Sequence, residues 1–167
     1  ETEELARKAD PNDHTYIVPA FSGLGAPWWR DDIYASISGM SRTTGREEIV
    51  KAGCECIAYQ INDVIDAMRK DSEIDISQMC VDGGPTRNKY LMQFQSDISQ
   101  TEIKIPDAEE LSVIGAGYLA GESAGYYEPD DIYKAITYNF FETEMPEQER
   151  NEKVQGWNEA VEMLLKK

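Results

Sequence analysis

Apolar positions recur along this chain with two different periods, and the changes of period divide it into elements. Residues 15–18 (Thr-Tyr-Ile-Val) and the alternating stretch 33–38 carry the two-residue period of strands, closed by Pro19 and Gly39. Between residues 46 and 69, Val50, Cys54, Ile57, Ile61, Val64, Ile65 and Met68 follow one another mostly at steps of three and four. That is one continuous apolar stripe, which predicts a long helix with these side chains inward. Thr44 with Glu47 three residues on predicts a capping box at its start. Residues 78–81 read as a core strand that stops at Gly83-Gly84, and a helical pattern follows to about Ile98. Pro85 suits its first position, where the missing N–H costs little, and Tyr90, Leu91, Phe94 and Ile98 should point inward.

The rest of the chain is read in the same way. Residues 102–105 form a short alternating strand stopped by Pro106, and Ser112 can cap a helix over 113–124. Residues 130–136 look helical, and 147–167 make a last amphipathic helix with Val154, Trp157, Val161 and Leu164 on its apolar side. Ahead of all these, residues 3–8 read as the tail of a helix, followed by a turn at Asp10-Pro11-Asn12-Asp13. Strands alternating with helices make this α/β material. The set of strands is short for a complete sheet, and the chain starts without methionine, so a piece of a larger fold is expected.

Composition narrows the partners. With 167 residues and 41% apolar content, one globular domain with a real core is expected. No apolar run approaches the roughly 18 residues that span a bilayer, and the opening Glu1-Thr2-Glu3-Glu4 is no secretory signal. A net charge of −16 disfavours nucleic acid and membrane surfaces, while leaving room for a nucleotide held by backbone amides and a few cations. Cys54, Cys56 and Cys80 lack the spacing of a disulfide framework and read as reduced thiols of a cytoplasmic protein. The single His14 has no partner ligands beside it in sequence, so no metal site is expected.

Few stretches could carry chemistry. A strand that ends in Gly83-Gly84 and opens into a helix lets a ligand approach backbone, with the helix dipole behind it. The pair alone reads equally as an ordinary tight connection, and it is neither a dinucleotide fingerprint nor a Walker loop. Because Pro85 removes an amide donor, contact with the adenosine side of a nucleotide is expected over cradling of a terminal phosphate. Glycines and alanines crowd residues 113–125, and Gly117, Gly121 and Ala124 share a face that would let a neighbouring element come close. Trp28 and Trp29 beside Pro27 read as a packed lid or a contact surface, and Asp82 as a turn-capping carboxylate. No nucleophile-base arrangement can be assembled.

Taken together, these stretches resemble the FGGY carbohydrate kinases. Val18-Pro19-Ala20-Phe21-Ser22-Gly23-Leu24-Gly25-Ala26-Pro27-Trp28-Trp29 looks like that family's V-P-A-F-[ST]-G-L-G-A-P-Y-W loop, and Ile37-Ser38-Gly39-Met40-Ser41-Arg42 its I-F-G-L-T-R segment. Glu55-Cys56-Ile57-Ala58-Tyr59-Gln60 resembles E-[SA]-I-A-Y-Q. Val81-Asp82-Gly83-Gly84, Asn88 and the run Leu91-Met92-Gln93-Phe94-Gln95-Ser96-Asp97-Ile98 match V-D-G-G-x-x-x-N-x-x-L-M-Q-F-Q-[AS]-D-I. Ile114-Gly115-Ala116-Gly117-Tyr118-Leu119-Ala120-Gly121 resembles L-G-A-A-Y-L-A-G. The L-M-Q-F-Q segment favours the polyol branch of the family over its ketose branch. Pro85, Tyr34-Ala35-Ser36 and Leu111-Ser112-Val113-Ile114 depart from the pattern.

The resemblance implies a ribonuclease H-like (actin-like ATPase) α/β fold, here the C-terminal domain of a two-domain sugar kinase. Residues 1–15 would be its incomplete N-terminal edge, 16–126 the core with the nucleotide-binding turn, and 127–167 a helical extension packed on the same domain. It also implies ATP with Mg²⁺ as cofactor, a small polyol or sugar as phosphoryl acceptor, and an N-terminal domain as partner. By that comparison Gly84 and Asn88 contact the nucleotide and Gly83 shares the turn, while the catalytic base and most substrate-binding residues lie upstream of Glu1. A fragment of this kind would be inactive alone. Self-association is left open, with Trp28 and Trp29 as candidate contacts. A non-catalytic module with the same half-fold is the rival reading.

Overall fold

Two small sheets with helices laid over them form the computed structural model of the chain, which describes residues 1–72, 74–107, 111–126, 128 and 136–166. Helix α1 (Thr2–Lys8) leads through a turn, closed by the Asn12 N–H donating to Asp10 Oδ1, into β1 (Tyr16–Val18). Strand β2 (Ser36–Ser38) returns antiparallel to it, Ile17 opposite Ile37. The long helix α2 (Arg46–Ser72) precedes β3 (Gln78–Cys80), a 3₁₀ turn (Gly84–Arg87) and α3 (Lys89–Ser99). Then come β4 (Glu102–Pro106), α4 (Leu111–Ser123), β5 (Tyr138–Phe141) and α5 (Glu147–Leu165). In the second sheet β4 lies in the middle, parallel to β3 and antiparallel to β5.

The core forms where α2, α3 and α5 meet β1 and β4. Val18, Tyr59, Phe94, Ile98, Ile103, Trp157 and Val161 are buried there. Tyr59 is stacked on Trp157 with ring centroids 5.1 Å apart and meets Phe94 edge-on at 5.4 Å. Gly156 lets α5 lie against β1, since a Cβ there would overlap the Tyr16 ring. Polar side chains tie the elements into this arrangement. Asp63 Oδ2 accepts from the indole N–H of Trp157 at 2.9 Å and of Trp28 at 3.2 Å, joining α2, α5 and the aromatic loop. The Arg69 guanidinium donates to the carbonyls of Ile76 and Ser99 and to Thr101 Oγ1, which fixes the end of α2 to the chain on either side of β3 and α3.

Several expectations are corrected. The stripe chosen as the inward face of α2 is split: Cys54 and Ile65 are buried as expected, but Ile57 is 41% and Met68 53% exposed, while Ala52, Glu55, Ala58, Tyr59 and Asn62, outside the stripe, are buried. Small residues on that second face let α1 and α3 come close, and close approach outweighs hydrophobicity in choosing the buried side. The cap of α2 is also displaced by one residue. Glu48 Oε2 accepts from the Gly45 N–H at 2.8 Å, and Thr44 instead donates to Asp13 Oδ2 at 2.7 Å. Strand β3 has exposed ends rather than a core position, because β4 is the one strand paired with it among the described residues. Strand β2 takes in just the last three residues of 33–38. Strand β5, pairing with β4 up to Pro106, has no counterpart in the sequence reading. Helix α4 begins ahead of Ser112. The expected helix over 130–136 lies largely outside the described residues.

Candidate functional site

The glycine pair sits at the end of β3, as expected, but the chain beyond it folds in two steps. Gly83 has φ +95°, a conformation that glycine adopts without strain. Gly84 opens the 3₁₀ turn, in which the Thr86 N–H and hydroxyl both donate to the Gly83 carbonyl, at 3.1 and 2.7 Å. Pro85 therefore starts the 3₁₀ turn and not α3. Asn88 stands between the two: its N–H donates to the Pro85 carbonyl at 3.0 Å, and its Oδ1 caps α3 by accepting the Leu91 N–H at 3.1 Å. Both glycines are exposed, and a Cβ built on either would meet nothing within 4 Å.

The turn forms one wall of a cleft of about 640 Å³. Gly84, Pro85, Asn88 and Leu91 face Val50, Gly53, Cys54 and Ile57 of α2 across it, and Glu1, Thr2 and Glu3 stand at the rim. The split stripe of α2 is thus explained in part: its N-terminal half lines this cleft. Asn88 Nδ2 donates to Cys54 Sγ at 3.7 Å, joining the two walls. Burial pushes the Cys54 thiol up, against the lowering effect of that hydrogen bond, so the sulfur stays protonated at neutral pH.

The charge at the mouth decides which part of a ligand fits. Glu3 Oε2 accepts the Lys89 N–H, the first amide of α3, at 3.1 Å. Desolvation raises the Glu3 carboxyl, but hydrogen bonds from Arg7 and the Lys89 amide outweigh it and hold the group below its usual range. An internal anion and the Asn88 side chain therefore take two of the amides that α3 would offer to a phosphate. The cleft also has an apolar floor with open glycine backbone above it, which suits a planar base or a sugar, and Arg87 lines the same wall as a local cation.

A second concavity, of about 450 Å³, opens between α1, α2, α3 and the start of α5. Glu55 lies in it, 5% exposed, with the Tyr90 hydroxyl donating to its Oε1 at 2.5 Å. Lys51, Lys153 and Glu149 face the same space. Burial, opposed by Lys51, Tyr90 and Lys153, lifts the Glu55 carboxyl above its ordinary range. The native state then keeps a proton that the unfolded chain has already released. Stability from this group is complete below the ordinary glutamate range and is lost as pH rises through the folded value. Glu55→Gln cannot ionise, so the unfolding midpoint of the variant minus that of wild type should grow as pH is raised from about 4 to about 8.

The other singled-out residues fall elsewhere. Asp82 is exposed. Trp28 is partly buried against the core, whereas its neighbour Trp29 is 77% exposed. On the face of α4 expected to meet a close neighbour, nothing among the described residues comes within 4 Å of a Cβ built at Gly117 and Ala124 is exposed, whereas Gly121 is buried. The L-M-Q-F-Q segment is scaffolding beyond Leu91: Gln95 donates to the Ala58 carbonyl, and Asp97 Oδ1 accepts the N–H groups of Glu144 and Met145 at 2.7 and 3.0 Å. Val50, Cys54 and Ile57 were missed as cleft residues. Their apolarity was legible, but which side of α2 they serve was not.

Comparison with known proteins bears on the family and the fold. The family model for the FGGY family of carbohydrate kinases, C-terminal domain, matches residues 1–124. Glycerol kinase of Natranaerobius thermophilus is 45% identical over 168 residues, 99% of this chain and 33% of that protein. Among solved structures, Plasmodium falciparum glycerol kinase with ADP superposes with a TM-score of 0.88 at 38% identity, over 98% of this chain and 33% of that one. The xylulose kinase of Lactobacillus acidophilus shares the fold, with a TM-score of 0.77 at 17% identity over 97% of this chain and 33% of that one. The chain spans about a third of the length of the relatives it matches.

Proposed function

The chain belongs to the C-terminal domain family of the FGGY carbohydrate kinases, and from that premise we propose that it supplies one wall of the ATP site of a polyol kinase acting on glycerol. In that reading the nucleotide lies over Gly83 and Gly84 with Asn88 beside it, and residues 16–126 form the nucleotide-bearing core on which 127–167 pack. One observation carries it. Gly84 has neither a positive φ nor an atom within 4 Å of its missing Cβ, so nothing among the described residues requires glycine there. A bulkier residue would fit the protein and fill only the cleft. The apolar floor of Val50, Ile57 and Leu91 supports an adenosine placed with its phosphates directed away from Glu3.

Transfer of the γ-phosphoryl group depends on positioning and charge stabilisation from both sides of a cleft, so the chemistry belongs to the full-length, cytoplasmic protein. Mg²⁺ would accompany the nucleotide's phosphates. Among the described residues no group of three His, Cys, Asp or Glu side chains is arranged to hold a metal ion. The test is an ADP-release assay on the full-length protein with glycerol, xylulose and other polyols as acceptors. Glycerol should exceed xylulose in kcat/KM by at least about tenfold. A preference for xylulose would replace the polyol reading, and no ADP release with any acceptor would favour a non-catalytic module.

A further inference from the structure

The concavity between α1, α2, α3 and α5 holds a buried cation that the chain does not neutralise. Lys51, 6% exposed, lines it from α2. Its ammonium donates to the Asp10 carbonyl at 3.1 Å, which leaves two N–H donors, and among the described residues no carboxylate lies within 4 Å of it. Asp13 and Glu55 are near enough to interact with it through space, without pairing. The other acids around the concavity are engaged. Asp97 accepts from Gln93 and from the amides of Glu144 and Met145, and Glu149 pairs with Lys153 at 3.7 Å. Glu55, one turn along from Lys51, takes the Tyr90 hydroxyl on Oε1 and nothing on Oε2 among the described residues, and burial favours its neutral form. A buried charge is costly unless a counter-charge meets it, and here the space beside it is open.

The surroundings limit what that counter-charge can be. One unpaired ammonium calls for one negative charge. Ala6, Ala9, Pro11, Phe94 and Met145 supply an apolar wall, which suits a ligand with a short hydrocarbon body. A neutral Glu55 can give its proton to an oxyanion as a further hydrogen bond. We propose that this concavity is a binding site for a small monocarboxylate, with its carboxylate accepting from Lys51 Nζ and its body on the apolar wall. The site shares no lining residue with the cleft beside Gly84, so it does not depend on reading that cleft as a nucleotide site.

The test is calorimetric titration of the full-length protein with butyrate. Wild type should bind it saturably, with a Kd of about 1 mM or below. Butyramide has the same shape without the charge, and inorganic phosphate has no hydrocarbon body; each should bind at least about tenfold more weakly. Lys51→Met keeps most of the side chain's bulk and should weaken butyrate binding by more than about tenfold, with a melting curve showing that the domain still unfolds cooperatively. Saturating ADP should leave the butyrate Kd within about twofold. No saturable binding of butyrate to wild type, butyramide or phosphate binding as tightly as butyrate, or normal butyrate binding in Lys51→Met would each overturn the proposal. Competition between ADP and butyrate would put the carboxylate in the other cleft and overturn it too. The comparison of the three ligands on wild type decides the matter even where Lys51→Met does not fold.

Discussion

Valine in place of Gly84 will raise the KM for ATP of the full-length protein by more than about tenfold while the acceptor KM and the unfolding midpoint stay near wild type. The two halves of this expectation have separate causes. Stability holds because a Cβ at Gly84 meets no atom within 4 Å and the backbone there is not left-handed. Binding fails because the new methyl groups stand in the cleft between the turn and the α2 wall of Val50, Cys54 and Ile57. Steady-state kinetics with each substrate varied in turn, together with a melting curve, reads both. Equal loss of affinity for both substrates would point to a general distortion, and unchanged kinetics would remove the turn from the site. The neighbouring Gly83 is a poor probe, since its φ of +95° would make any substitution strain the backbone as well.

Trp157→Ala should be the most destabilising of the single changes considered, costing about 4 kcal/mol. The indole is almost fully buried, is stacked on Tyr59, and donates to Asp63. Its removal leaves a cavity between α5, α2 and β1, and leaves a largely buried carboxylate with the Trp28 indole as its remaining donor in that contact. Burial already raises the Asp63 carboxyl, and the two indoles act to lower it, so losing one raises it further. Trp157→Phe separates the terms: it preserves most of the ring stacking and should cost about 1–2 kcal/mol for the lost hydrogen bond. Urea unfolding of the full-length protein, followed through the transition of this domain, measures both. A cost for Trp157→Ala no larger than that for Trp157→Phe would show that the hydrogen bond, and not the packing, dominates.

How far the sequence predicted these features depends on what kind of signal each residue carries. The closing helix was readable because Trp157, Val161 and Leu164 are at once apolar and buried. In α2 the two properties part. The apolar stripe is the one that a period of 3.6 detects, yet Ala52, Ala58 and Asn62 go inward because small side chains let helices touch. The turn at Gly83-Gly84 was legible from its glycines, whereas the two-step fold after it was not. Pro85 is compatible with either kind of helix, and only the Asn88 cap, a contact three residues long, separates them. Strand β5 went unseen because Tyr-Asn-Phe-Phe has no clear alternation, and its pairing with β4 is non-local. The Cys54 contact spans 34 residues and could not be read from spacing at all.

The shared carboxylate of Asp63 has an optical consequence. Of the three tryptophans, Trp28 and Trp157 donate to one Asp63 oxygen, and Trp29 projects into solvent. Acrylamide therefore quenches Trp29 first, and the emission that survives comes from an indole pair anchored to a single atom of α2. That residual signal is a built-in gauge of whether the aromatic loop and the last helix are seated together, readable without adding any dye.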